Sequence, residues 1–229
     1  MRWTLCLTLL GAVLAGNAAD KPASSSAPAL DIKPADTARV GQLPPYTSAL
    51  SERATKAITM KRWNEARAAY LEMLKDDPNN ALTLSNLGSV EQGAGHPDAA
   101  KEYYAHAVSL NPGLTQVWIS LGLICFETDD SYMAVSALTR AVHDDPTDAK
   151  SHNFLAVALQ KMGWLDAAEA ELQRAIEIEP SYANAHFNLA LMYLERKPPA
   201  VELARRHYQK ALSLGAPKDE DVEAKLKEK

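Results

Sequence analysis

The sequence predicts an all-α protein, a solenoid of five helix-turn-helix repeats closed by a C-terminal capping helix. Three observations carry this. Asp77-Pro78, Asn111-Pro112, Asp145-Pro146 and Glu179-Pro180 place a proline every 34 residues. With each proline set at position 32 of a 34-residue unit, small residues recur at position 8 (Ala54, Gly88, Gly122, Ala156, Ala190) and at position 20 (Ala66, Ala100, Ala134, Ala168). Leu87, Leu121, Leu155 and Leu189 fill position 7, and Tyr70, Tyr104, Leu138 and Leu172 fill position 24, which gives each helix one apolar stripe. The two small sites lie on opposite arms of a hairpin and let the arms approach closely.

Residues 1–19 read as a secretory signal. Arg2 supplies the positive start, Thr4 to Leu14 an apolar stretch, and Ala15-Gly16-Asn17-Ala18-Ala19 the small residues of a cleavage site. The apolar stretch is too short to span a bilayer. Residues 20–45 hold Pro22, Pro28, Pro34, Pro44 and Pro45 with Ser24-Ser25-Ser26, a composition expected of an extended or disordered tether. The solenoid is expected over 46–228, with repeats at about 47–80, 81–114, 115–148, 149–182 and 183–216.

Each proline explains where a second helix stops, because its ring disfavours helical geometry in the residue before it and it has no N–H to donate. Gly95 and Gly163 fall in the turn between arms, where a glycine accepts backbone angles that other residues resist. The fifth unit departs from the register. There Lys197-Pro198-Pro199 replaces the short turn, and Ala204, Tyr208 and Ala211 match the small, aromatic, small triplet only if two residues are inserted. After Gly215-Ala216-Pro217 a charged helix, about 219–228, carries Val222 and Leu226 one turn apart and should cover the exposed end of the last hairpin.

Cleavage after residue 19 would remove Cys6 and leave Cys125 as the one thiol, so an intramolecular disulfide is excluded and stability must come from packing. The net charge of −5 becomes −6 when Arg2 is lost. An acidic chain has no basic field to attract phosphate backbones, which argues against nucleic acid as a partner. No later stretch is apolar enough to enter a membrane once the signal is cleaved.

These units resemble tetratricopeptide repeats over residues 47 to about 216, and the chain is similar to exported bacterial members of that family. The resemblance implies a right-handed solenoid. It also implies that the first helix of each hairpin lines a concave surface through positions 2, 5, 9, 12 and 13. Carried onto this sequence, repeats one and two offer Ser51, Thr55, Ser85, Ser89 and Gln92. Repeats three to five offer a more apolar surface of Ile119, Leu123, Phe126, Val157, Phe187, Leu191 and Leu194, edged by Gln116, Lys150, Asn153, Gln160 and Asn184. An amphipathic helix or an extended apolar peptide would suit that half, with the amides satisfying backbone groups.

The expected function is that of a non-enzymatic scaffold in a bacterial envelope assembly, exported and periplasmic, holding a peptide or helix of another protein. The alternative from a different class is a structural, self-associating array, a possible homodimer, whose groove is filled by its own tether (Ala29-Leu30-Asp31-Ile32) or by its C-terminal helix. Family members that grip an acidic C-terminal tail use lysine, asparagine and arginine at groove positions. Here Ser51, Thr55, Asn86, Gln116 and Ser120 stand there, and one asparagine does not make that clamp.

No catalytic residue, cofactor site or metal site is expected. His152 and His186 share position 4 of adjacent repeats, but two imidazoles without a third ligand make a poor zinc site, and that position normally packs between helices. Cys125 reads as a small core residue. Gly93-Ala94-Gly95-His96 lacks the strand and helix context of a phosphate loop. The pairs Asp76-Asp77, Asp129-Asp130 and Asp144-Asp145 read as solvated helix ends, without the opposed geometry of acid/base work. Trp63 and Trp164 are expected to cover hairpin ends.

Overall fold

The computed structural model of the protein describes residues 45–227, with side chains from Ser48 onward. The leader (1–19), Cys6, the tether up to Pro44 and its Ala29–Ile32 segment lie outside the described residues. Within them every regular element is an α-helix and there is no strand. Eleven helices follow in order: α1 (Pro45–Thr59), α2 (Trp63–Asp76), α3 (Ala81–Gly93), α4 (Pro97–Leu110), α5 (Thr115–Glu127), α6 (Ser131–Asp144), α7 (Ala149–Lys161), α8 (Leu165–Ile178), α9 (Ala183–Glu195), α10 (Val201–Ser213) and α11 (Glu220–Lys225). The first four second-arm helices begin 34 residues apart, and α10 begins 36 after α8, so the fifth hairpin contains the two-residue insertion.

Each stop is built alike. Asp77, Asn111, Asp145 and Glu179 precede the prolines with φ between −136° and −130°, and each backbone N–H still donates to a carbonyl four residues back (Met73, Ala107, Ala141, Ala175). The pre-proline residue is thus held extended while the last carbonyl is satisfied. The hairpin turns are equally regular. Position 15 takes a positive φ in four repeats, at Lys61 (55°), Gly95 (82°), Asp129 (61°) and Gly163 (79°).

The next N–H in each turn reaches back to the carbonyl at position 11: Arg62 to Ala57, His96 to Glu91, Asp130 to Cys125 and Trp164 to Leu159. This is the Schellman closure. The sequence marks it at the two glycines only. In the fifth hairpin Ala200 closes onto Tyr193 with the two extra residues looped out.

The described residues form two compact units divided within α5, 45–124 and 125–227. In the first, α1 packs on α2, α2 on α3 and α3 on α4. Gly88 faces the Tyr104 ring so closely that a Cβ would lie 2.8 Å from its carbons. The Tyr104 hydroxyl, held there, donates to Gln92 Oε1 at 2.9 Å. Trp63 lies over Gly93 and covers a hairpin end as expected.

In the second unit α6 packs on α7, α7 on α8, α8 on α9, and α9 on α10. The position-20 alanines Ala134 and Ala168, and Ala204 in the shifted register, are fully buried, with Leu138, Leu172 and Tyr208 beside them along the same stripes. Cys125 is buried. Trp164 is more open than expected, at 49% exposed.

The closing helix docks on α10. Val222 and Leu226 are buried, Tyr208 Oη accepts the Asp219 N–H at 2.8 Å, and Asp219 Oδ1 caps the Val222 N–H at 2.9 Å. Arg205 donates to the Leu226 carbonyl at 2.7 Å. The helix spans Glu220–Lys225, shorter than the expected 219–228.

Candidate functional site

The first helices of repeats four and five, α7 and α9, lie side by side. Two amide bridges tie them. Asn188 Nδ2 donates to Asn153 Oδ1 at 2.8 Å, and Gln160 Nε2 donates to Glu195 Oε2 at 2.8 Å. Both asparagines are buried, and Asn153 Nδ2 is left with no acceptor. A buried amide N–H without a partner costs about 1–3 kcal/mol, so such a group marks a place where an acceptor would be welcome.

The structure sorts the expected contact residues into two sets. In the first unit Gln116 is exposed, Leu123 half-buried and Ile119 buried. In the second, Lys150 is exposed and Gln160, Asn184 and Leu191 are half-buried, while Phe126, Asn153, Val157, Phe187 and Leu194 are buried. Phe187 is 1% exposed, and its ring lies 6.1 Å from that of Tyr208. Phe126 is covered by Lys161, whose ammonium sits 4.5 Å from the ring centroid and donates to the Phe126 carbonyl at 3.0 Å while pairing with Asp129. The accessible contact residues on α7 and α9 are therefore Leu191, Lys150, Gln160 and Asn184.

Sequence reading missed a set of polar ties between neighbouring repeats. Position 4 carries a ring N–H in three successive units, and each approaches the carbonyl of the proline six residues earlier: Trp118 Nε1 to Pro112 (2.9 Å), His152 Nε2 to Pro146 (3.2 Å) and His186 Nε2 to Pro180 (3.3 Å). Both histidines thereby have a structural role, and the Nδ1 of His152 also lies 2.6 Å from Glu171 Oε2. Each anchors its repeat to the preceding proline turn, and they use separate carbonyls.

A second tie joins position 21 of one repeat to position 11 of the next. Arg67 forks onto buried Glu91, with Nη2 2.7 Å from Oε2, and His96 Nδ1 lies 2.8 Å from the same oxygen. Burial pushes the Glu91 pKa up, but hydrogen bonds and charge from Arg67 and His96 outweigh it and hold the carboxyl below its usual range. In repeats four and five the slot is rebuilt with the charge on the other side: Glu169 accepts from the Tyr193 hydroxyl at 2.7 Å and pairs with Arg196. Burial and the Glu169 carboxylate push the Tyr193 phenol up to about 12. The sequence carried little signal for these ties: position 11 holds Ala57, Glu91, Cys125, Leu159 and Tyr193, and position 21 holds Arg67, Lys101, Val135 and Glu169.

Among the described residues no group of three or more His, Cys, Asp or Glu side chains could hold a metal ion, and no helix is long and apolar enough to cross a membrane.

The tetratricopeptide repeat profile matches residues 81–114 and 149–182, the second and fourth units of the register. A crystal structure of MamA is 30% identical and superposes with a TM-score of 0.66, covering 75% of this chain and 96% of that one. The chain belongs to the tetratricopeptide repeat family. The fold is shared more distantly with YrrB, described as a TPR protein with an unusual peptide-binding site, at 21% identity and a TM-score of 0.65 over 79% of this chain and 96% of that one. Among curated proteins, the human protein O-mannosyl-transferase TMTC3 is 25% identical over 178 residues, 74% of this chain. This chain spans only about a fifth of that transferase's length, which leaves the transferase activity outside the comparison. Tetratricopeptide repeat folds are typically non-enzymatic scaffolds for protein–protein contact.

Proposed function

We propose that this tetratricopeptide repeat protein is a non-enzymatic adaptor of a bacterial envelope assembly that holds a peptide or helix of another protein on the α7/α9 face. Leu191 carries this reading: it is an apolar side chain left accessible on a first-arm helix whose other accessible contact positions are polar. Gln160, Asn184 and Lys150 on the same two helices can satisfy backbone groups of a bound segment, while buried Asn153 and Asn188 tie the helices together. His152 and His186 reach the carbonyls of the preceding proline turns and Glu169 accepts from Tyr193, roles within the fold. Export to the periplasm is supported by the leader-like residues 1–19. The peptide-binding site named for YrrB lends the reading a precedent within the fold. Self-filling by the closing helix finds no support, because its contacts run to Arg205 and Tyr208 of α10.

Capture from a native envelope extract tests the proposal. Leu191→Asp should lower recovery of a discrete polypeptide by about tenfold or more, as loss of a central apolar anchor does, with far-ultraviolet circular dichroism unchanged. Thr139→Asp, on the exposed side of α6, should recover it as the wild type does. Equal recovery by folded Leu191→Asp would reject the α7/α9 face.

A further inference from the structure

His186 and His207 face each other across the fifth hairpin with their Nδ1 atoms 3.0 Å apart and ring centroids 5.3 Å apart. The contact of His186 Nε2 with the Pro180 carbonyl places that ring's proton on Nε2 and makes its Nδ1 an acceptor. His207 Nδ1 must then be the donor. One tautomer of each neutral ring satisfies the arrangement, and protonation disturbs it in two ways. A proton on His186 Nδ1 sets two N–H groups head to head. A proton on His207 Nε2 places a cation in a part-buried cluster that already feels Arg206 on its own helix.

The surroundings are mostly hostile to added positive charge. From α10, Lys210 acts on His186 and Arg206 on His207. From α9, the Tyr193 ring lies 5.8 Å from His207. From α8, Glu169 favours a charged His207, but its carboxylate is engaged by the Tyr193 hydroxyl and by Arg196.

The next residue along each helix makes the contact that matters for the end of the chain. Phe187 follows His186, Tyr208 follows His207, and their rings meet; the Tyr208 hydroxyl in turn holds the Asp219 N–H that starts the closing helix. We propose that the His186–His207 pair is an acid-sensitive latch: neutral imidazoles hold α9 against α10, and proton uptake in mildly acidic solution loosens the fifth hairpin together with the closing helix docked on it.

Burial lowers the pKa of both rings, with the Pro180 hydrogen bond raising His186 in part and the charge of His186 lowering His207 further. A histidine whose folded-state pKa lies below its unfolded value of 6.5 stabilises the fold fully above that value. The contribution is lost as pH falls from there through the folded-state pKa.

The test uses the full-length chain and needs no ligand. Nitrogen-15 spectra of the imidazoles should show His186 protonated at Nε2, with both rings titrating below 6.5. Hydrogen exchange in α9–α11, corrected for intrinsic rate, should report opening that rises by up to about tenfold per titrating ring for each pH unit across that window. His207→Gln keeps an N–H for His186 Nδ1 and should flatten the dependence, as should His186→Gln if the first variant does not fold. His106→Gln should retain it, although burial also lowers the His106 pKa. Titration of both rings at or above 6.5, or an unchanged pH dependence in a folded His207→Gln or His186→Gln protein, overturns the latch.

Discussion

Arg67→Met lowers the unfolding free energy by about 3–5 kcal/mol at pH 7, the cost of leaving a buried charge without its partner. Glu91 is only 4% exposed, and its two oxygens face the Arg67 guanidinium and His96. Methionine replaces the volume of the arginine stem but offers no N–H, so one carboxylate oxygen loses its partner in a site that water scarcely reaches. The carboxyl pKa, now set mainly by burial, should rise above its unfolded value.

Such a group stabilises the fold below the unfolded pKa and loses that contribution as pH rises through the folded one. The deficit relative to wild type is therefore expected to shrink on acidification. Urea titrations at pH 7 and pH 5 measure both quantities. A loss under about 1 kcal/mol at pH 7 would mean that Arg67 and Glu91 do not join the first two repeats as described.

Phe187→Ala is the second large effect, a loss of about 3–5 kcal/mol from a buried phenyl ring whose neighbours cannot close around the cavity. The ring lies against Tyr208, and the Tyr208 hydroxyl holds the closing helix, so the damage should be concentrated in α9, α10 and α11. Exchange of backbone amides followed by mass spectrometry should show protection lost there first. A near-neutral result, with unchanged protection, would return Phe187 to the ligand-contacting surface expected from position 5 of its repeat.

Phe187 also shows how far the sequence could be read. The 34-residue register was legible because it rests on backbone chemistry: prolines at 78, 112, 146 and 180 stop helices wherever they occur, and alanine or glycine at positions 8 and 20 sets how closely two arms can pack. The insertion near Pro198-Pro199 was legible for the same reason. Depth of burial was not. Positions 5 and 9 name the helix face a residue occupies, but whether Asn153, Val157 and Phe187 are covered depends on packing between helices that are distant in sequence.

The ties between repeats escaped notice because their residue types keep no constant chemistry. Position 4 holds tryptophan once and histidine twice, and what unites them is a ring N–H aimed at a proline carbonyl. The left-handed turns at Lys61 and Asp129 were hidden because those residues do not advertise a positive φ as glycine does.

Site-specific photo-crosslinking tests the scaffold reading most directly. A photoreactive residue in place of Leu191 should yield an adduct with one polypeptide in cells that make the protein, and the same residue in place of Thr139 should not. Adducts of equal yield from both positions, or none from Leu191 in a folded protein, would contradict the assignment of α7 and α9 as the binding face.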